Sequence, residues 1–196
     1  MKTGLFFGSF NPVHIGHMAI ANYIYEYSEL EEIWFVVSPH NPLKKKSSLL
    51  ADHHRLHLTE IAIGEDNRFR VSDIESKLPK PSYTIDTLTY LREKHPTRQF
   101  ALIMGSDNLS TIDKWKNAEL LIESYKIIVY PRLNKGKEPG HVVKSMLKSA
   151  DIVIVDAPLI DISGTFIRSA IREKKDIRHF LPPGVWQYIR DMHFYE

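Results

Sequence analysis

Thr3-Gly4-Leu5-Phe6-Phe7-Gly8-Ser9-Phe10-Asn11-Pro12-Val13-His14-Ile15-Gly16-His17 is the stretch that decides the fold. Thr3–Phe7 is a short apolar run of strand type, halted by Gly8. From Gly16 to Ser28 the apolar residues return at three- and four-residue steps, the spacing of a helix face. Between strand and helix, Gly8 allows a close approach of backbone to a ligand and Pro12 fixes a turn. His14 and His17, three apart at the helix start, can project to one side where the first helical N–H groups also point. Two imidazoles beside free backbone donors make a phosphate site. A metal site is the weaker reading, because no third ligand lies nearby in sequence.

The same alternation continues outward. Ile33–Val37, Phe69–Val71, Phe100–Met104, Lys126–Tyr130 and Ile152–Val155 have strand character. Ala51–Ile63, Thr84–Lys94, Asn117–Glu123 and Val142–Ser149 have helical spacing between them. Runs such as Ile33-Trp34-Phe35-Val36-Val37 are apolar on both faces, as a sheet covered by helices on both sides requires. The fold class is therefore α/β, a doubly wound parallel sheet of Rossmann-like kind, in which ligands bind outside the carboxyl ends of the strands. Ser38–Ser48, Asn67–Ser82 and Leu133–Gly140 read as loops. From residue 162 to residue 196 the pattern changes to two helical segments, Thr165–Lys174 and Val185–Met192, separated by Pro182-Pro183-Gly184. This is a small helical C-terminal appendix on a single domain spanning residues 1–196.

Composition narrows the function classes. The chain has 196 residues, 43% of them hydrophobic and 26% charged, with a net charge of +2, which suits a globular protein and not a disordered or fibrous one. No dense basic block is present for duplex nucleic acid, so no nucleic-acid partner is expected. There is no cysteine, which removes thiolate nucleophiles and Cys-based metal centres. With no apolar run of 18 residues and no signal-type segment, neither membrane insertion nor export is expected, and the expected location is cytoplasmic.

A second motif, Ile162-Ser163-Gly164-Thr165-Phe166-Ile167-Arg168, follows the last strand and opens a helix. Ser163 or Thr165 can cap that helix, and Arg168 can add a bidentate phosphate contact. Such serines and threonines usually serve only as caps, so this motif gains weight from the first one. The cluster His53-His54 and His57 sits at helical spacing. It reads as a solvent-facing group behind an Asp52 cap rather than as a zinc site.

Together the G-x-F-x-P-x-H-x-G-H and I-S-x-T-x-I-R elements resemble the nucleotidyltransferase superfamily of HxGH type. Pro81-Ser82-Tyr83-Thr84-Ile85-Asp86-Thr87-Leu88, Gly105-Ser106-Asp107 with Trp115, and the Pro39–Lys46 loop narrow the likeness to the bacterial nicotinate-mononucleotide adenylyltransferases. The resemblance implies transfer of AMP from ATP to nicotinate mononucleotide, a step of NAD biosynthesis, with Mg²⁺ accompanying ATP and no metal-ligating side chains assigned. It implies that His14, His17 and Arg168 are catalytic, and that Gly8, Ser9, Phe10, Gly105, Asp107, Ser163 and Thr165 join them around ATP. Asn41, Tyr83, Thr84 and Trp115 would meet the mononucleotide, with Lys44 or Lys45 reaching its phosphate. The preference for nicotinate over nicotinamide rests on the resemblance alone.

The sequence departs from the family pattern in several places. Phe7 stands before Gly8 where a second glycine is common, Asn11 where aspartate is frequent, and Gly164 where a second serine is common. The order Pro131-Arg132 reverses a family Arg-Pro pair, which leaves Arg132 outside the expected site. Three rival readings are a class I aminoacyl-tRNA synthetase-like fragment, suggested by His14-Ile15-Gly16-His17, a nucleotidyltransferase for another acceptor such as phosphopantetheine, and a nucleotide sensor without turnover. The chain length, the Tyr83–Leu88 segment, and the presence of both histidines with Arg168 speak against them in turn.

Overall fold

The structure is a computed structural model that describes residues 1–39, 49–133 and 151–196. Six parallel strands form one sheet in the order β3-β2-β1-β4-β5-β6. They are β1 (Lys2–Gly8), β2 (Glu32–Val37), β3 (Phe69–Ser72), β4 (Gln99–Gly105), β5 (Lys126–Tyr130) and β6 (Ile152–Ile154). Chain order runs outward from β1 in one direction and then, from β4, in the other. The switch point thus falls between β1 and β4, where a doubly wound sheet opens its ligand crevice. Phe6 is paired with Ile103 and Gly8 with Val37, so the Gly8 turn, the end of β2 and the end of β4 emerge at one edge.

The helices are α1 (Ile15–Glu26), α2 (Asp52–Ile63), α3 (Ile74–Lys77), α4 (Thr84–Lys94), α5 (Ser106–Leu109), α6 (Ala118–Ser124), α7 (Gly164–Arg172) and α8 (Pro183–Asp191). Alternate residues of β1 feed two separate cores. Phe6 joins Ile33, Phe35, Ala101, Ile103 and residues of α1, α2, α7 and α8. Leu5 joins Val36, Leu102, Val129 and residues of α4 and α6 on the opposite face. Period-two strands buried on both sides give the continuous apolar runs of the sequence. The chain after residue 162 packs its helices into the first core through Ile167, Ala170, Ile171, Val185 and Ile189.

The expected strands and most helices are present within two residues of their expected ends. The segment Asn67–Ser82, expected as loop beyond Val71, also holds α3. Ala51, not Asp52, occupies the cap position of α2, and Asp52 instead accepts a 2.6 Å hydrogen bond from Arg55. A carboxylate in the first turn can serve the guanidinium one turn on as readily as the backbone, and here it does so. The histidine cluster is not wholly solvent-facing either: His54 is half-buried, its Nδ1 lies 3.1 Å from the Tyr188 hydroxyl, and its ring meets Phe194. The helix expected at Val142–Ser149 lies outside the described residues, as does most of the Leu133–Gly140 loop.

Candidate active site

Four phenylalanine and histidine rings build the floor of the crevice. Phe6, Phe10 and Phe35 lie 5.4–5.7 Å apart by ring centroids, and Phe10 sets its edge against His17 at 5.0 Å. Phe10 reaches this place from a left-handed backbone with φ of 40°, unusual for a bulky side chain. Burial of its ring, only 1% exposed, offsets that strain. Gly8 makes the arrangement possible, since a Cβ there would lie 2.8 Å from the Phe10 ring. In this structure its bareness makes room for Phe10, and the expected role toward a ligand is a separate matter.

His14 caps α1 with an extended backbone, and its ring stacks on that of His17 at a centroid distance of 3.7 Å. The His14 backbone N–H donates to His17 Nδ1 at 3.2 Å. An accepting Nδ1 carries no proton, so the neutral His17 ring carries its proton on Nε2 as a donor. His14 is 4% exposed, and its buried Nδ1 has no hydrogen-bond partner among the described residues. Burial, helped by the Arg132 charge, pulls its pKa down to about 4. His14 is therefore a neutral imidazole at physiological pH, and any contact it makes with a phosphate is a hydrogen bond rather than an ion pair.

Arg168 approaches from α7. Its Nη1 donates to the Asn11 carbonyl at 2.6 Å and its Nη2 to the Thr165 hydroxyl at 3.3 Å. Ser163 is the cap of α7, its hydroxyl accepting from the Phe166 N–H at 3.2 Å. Gly164 suits this join, because a Cβ would lie 2.8 Å from the Asn11 carbonyl oxygen and 3.1 Å from Arg168 Nη1. Asn11 also accepts at Oδ1 from the Tyr195 hydroxyl (2.7 Å) and the Leu50 N–H (3.2 Å). The C-terminal segment thereby closes on the loop that carries the histidines, at a sequence distance no local pattern reveals.

Across the switch point, Gly105 ends β4 and Asp107 lies in the first turn after it. Asp107 Oδ1 is buried with no partner among the described residues, while Oδ2 faces Arg132 Nη1 at 3.4 Å. The Arg132 side chain crosses the Cα of Gly105, where a Cβ would stand 2.6 Å from its Cδ. Arg132, left out of the expected site because of its order relative to Pro131, is thus placed at the crevice beside Asp107 and within electrostatic reach of His14. A buried polar atom without a partner costs about 1–3 kcal/mol, which is why such atoms point to absent ligands. His14 Nδ1 and Asp107 Oδ1 are two such atoms on either side of the switch point.

Tyr83 and Thr84 form the cap and first residue of α4, with Tyr83 40% exposed. Lys116 lies 4.8 Å over the Tyr83 ring and pairs with Asp86 at 2.7 Å. Trp115 follows the short 3-10 turn Ile112–Lys114 and rests half-buried against the second core. Asn41, Lys44 and Lys45 lie outside the described residues.

Arg55, which carried no signal in the sequence beyond its place among the histidines of α2, is fully buried. Its guanidinium donates to the carbonyls of Ser9 (2.6 Å), Ser38 (2.8 Å), Leu50 (3.0 Å) and Pro39 (3.1 Å) and to Asp52. It holds together the turns after β1 and β2. Among the described residues no group of three His, Asp or Glu side chains converges as a metal cage, and none of the helices is long and apolar enough to cross a membrane.

Paired histidines and an arginine on a helix start, gathered at the switch point of a doubly wound sheet, are what an α/β nucleotidyltransferase is expected to present. Accordingly, the cytidylyltransferase-like family model matches residues 5–170, and the chain belongs to that family. Within it, the chain belongs with the nicotinate-nucleotide adenylyltransferases. It is 51% identical to the probable nicotinate-nucleotide adenylyltransferase of Flavobacterium johnsoniae, across the whole of both chains. It is 52% identical to that of Christiangramia forsetii, over 100% of this chain and 98% of the relative. The fold is shared with the Plasmodium falciparum nicotinic acid mononucleotide adenylyltransferase complexed with NaAD, with a TM-score of 0.80 at 24% identity over 99% and 97% of the two chains.

Proposed function

We propose that this chain transfers the adenylyl group of ATP to the phosphate of nicotinate mononucleotide, forming nicotinate adenine dinucleotide and pyrophosphate. Identity of 51% across the whole length of a relative named for this activity is the observation that carries the reading. The site fits it. A phosphate oxygen of the mononucleotide attacks the α-phosphorus of ATP, the bond from that phosphorus to the bridging oxygen breaks, and pyrophosphate departs. The attacking group is already an anion, so no protein nucleophile or general base is needed. Positioning and stabilisation of charge supply most of the rate.

Each residue then has a definite task. His17 donates from Nε2 to a phosphate oxygen, and neutral His14 orients the His17 ring by stacking and by its own N–H. Arg168, already anchored to Asn11, offers its remaining donors to the triphosphate. Ser163 and Thr165 present the start of α7, while Gly8, Ser9 and Phe10 line the nucleotide on one side and Gly105 and Asp107 on the other. Arg132 adds a second cation. Tyr83, Thr84 and Trp115 hold the pyridine end, and Asn41 meets the same mononucleotide, whose phosphate Lys44 or Lys45 reaches. Mg²⁺ would enter with ATP, since this ion usually keeps phosphate and water oxygens as ligands. When bound it would neutralise phosphate charge. ATP and a phosphorylated nucleotide as substrates support a cytoplasmic location.

The deciding experiment is pyrophosphate release with ATP and Mg²⁺, comparing nicotinate mononucleotide, nicotinamide mononucleotide and phosphopantetheine. The highest kcat/KM is expected with nicotinate mononucleotide. A higher value with the amide, or turnover only with phosphopantetheine, overturns the assigned acceptor.

A further inference from the structure

Glu75 is a buried carboxylate in a segment that the sequence pattern marked as loop. It is 4% exposed and has no ion-pair partner among the described residues. Desolvation holds its pKa above the usual carboxylate range. Burying such a group without a cation costs stability unless hydrogen bonds compensate. Two hydroxyls do so. Thr87, itself fully buried, places Oγ1 3.2 Å from Glu75 Oε1, and the Ser38 hydroxyl bonds to the same carboxylate.

Both partners lead to the site. Thr87 lies one turn into α4, and its N–H donates to the Tyr83 carbonyl at 3.1 Å, while the hydroxyl, 3.3 Å from the same oxygen, has its single proton for the Glu75 carboxylate, so the position of Thr87 sets that of Tyr83 and Thr84. Ser38 leaves the end of β2, its N–H donating to the Gly8 carbonyl at 2.9 Å and its own carbonyl accepting from Arg55. A continuous path of hydrogen bonds therefore runs from Gly8 through Ser38, Glu75 and Thr87 to Tyr83. We infer that Glu75 is a positioning residue that fixes the start of α4, and with it the mononucleotide subsite, relative to the Gly8–His17 loop.

This inference rests on the reading of Tyr83 and Thr84 as acceptor contacts. An apolar residue would pack in the same space without desolvating a charge, but it would leave both hydroxyls without the bridge that joins them. Since Glu75 touches neither substrate, its effect reaches the reaction only through the geometry of α4.

The test compares Glu75→Ala, Glu75→Gln, Thr87→Val and the Glu75→Ala/Thr87→Val pair by steady-state kinetics in both substrates and by thermal unfolding. Glu75→Ala is expected to raise KM for nicotinate mononucleotide by about tenfold, the effect of one lost interaction of about 1.4 kcal/mol, while KM for ATP changes by less than about twofold. Glu75→Gln, which still accepts from one hydroxyl, is expected to recover most of that affinity. Thr87→Val is expected to resemble Glu75→Ala, with the pair no worse than either alone, because both break one path. If Glu75→Ala does not fold, the Gln and Val variants carry the comparison. An unchanged mononucleotide KM, parallel rises in both KM values, or additive effects overturn the inference. Absence of nicotinate mononucleotide turnover in the unaltered protein would instead overturn the functional reading beneath it.

Discussion

The aliphatic stem of Arg132 crosses the bare Cα of Gly105, and its guanidinium faces Asp107 Oδ2 at 3.4 Å. The pair is half-exposed, so its own contribution to stability is small. Its significance lies in where it stands, opposite the paired histidines. Arg132→Ala is expected to raise KM for ATP several-fold, about 1 kcal/mol for a partly solvated phosphate contact, with a melting temperature close to that of the unaltered protein. Initial rates at varied ATP would check this, and an unchanged KM and kcat would remove Arg132 from the site.

His17, stacked on His14 and accepting its N–H at Nδ1, carries its proton on Nε2. His17→Ala is expected to lower kcat by roughly 10²–10⁴, as for loss of one preorganised donor to a developing anion, with little loss of folding. Single-turnover measurements at saturating substrates separate this from a binding defect. Near-normal turnover would sink the assignment.

His14 gives a pH dependence of definite sign. Its pKa of about 4 in the folded chain lies below the 6.5 of an unstructured histidine. Above pH 6.5 the ring is neutral in both states and contributes no pH slope. As pH falls from 6.5 toward 4 the unfolded chain takes up the proton and the folded one does not, so stability declines, levelling off below 4. A difference of this size corresponds to roughly 3 kcal/mol. Denaturant unfolding at pH 7 and pH 5 is expected to show the decline, and a His14→Gln variant to show a smaller one. Equal pH slopes in the two proteins would contradict it.

Arg55→Met is expected to be among the most destabilising single changes. Four carbonyls and Asp52 lose their donors within a buried space. Loss of a fully satisfied buried charge hub costs roughly 3–5 kcal/mol, which for a chain of this size lowers Tm by about 6 °C or more. Calorimetry provides the check. A shift of only a degree or two would mean that the turns after β1 and β2 hold their shape unaided.

Gly164→Ala separates activity from stability. Alanine favours a helix over glycine by about 0.5–1 kcal/mol, yet its Cβ would press on the Asn11 carbonyl and on Arg168. The expected result is a Tm lowered by no more than a few degrees, the clash with a backbone oxygen outweighing the gain in helix propensity, with kcat/KM lowered about tenfold or more, since the guanidinium loses its anchor. Full activity in this variant would show that Arg168 works without Asn11.

The sheet was legible because its signal is local. Ile33–Val37 and Lys126–Tyr130 declare strands within five residues, and His14 and His17 stand three apart on one turn. Arg55, Glu75 and Arg132 carry no such sign. An arginine in Asp52-His53-His54-Arg55 looks solvent-bound until the turns after β1 and β2 are seen to converge on it. Glu75 lies in a segment without periodicity, and its partners Ser38 and Thr87 come from different elements. The order Pro131-Arg132 points away from the site, although the direction of Arg132 depends on how β5 ends beside Gly105. Side-chain partners 12 to 184 residues apart are set by the tertiary fold, and local pattern does not contain them.

The hydrogen bond from the Tyr195 hydroxyl to Asn11 has a consequence for the order of events during synthesis. Asn11 and Tyr195 are 184 residues apart. The strands and helices between them can assemble as they leave the ribosome, but the loop bearing the histidines acquires its last support only once the chain through residue 195 has emerged. Loop closure over such a span is slow compared with local structure formation. A nascent chain arrested before α8 would therefore carry a largely built sheet and an unfinished histidine-bearing loop.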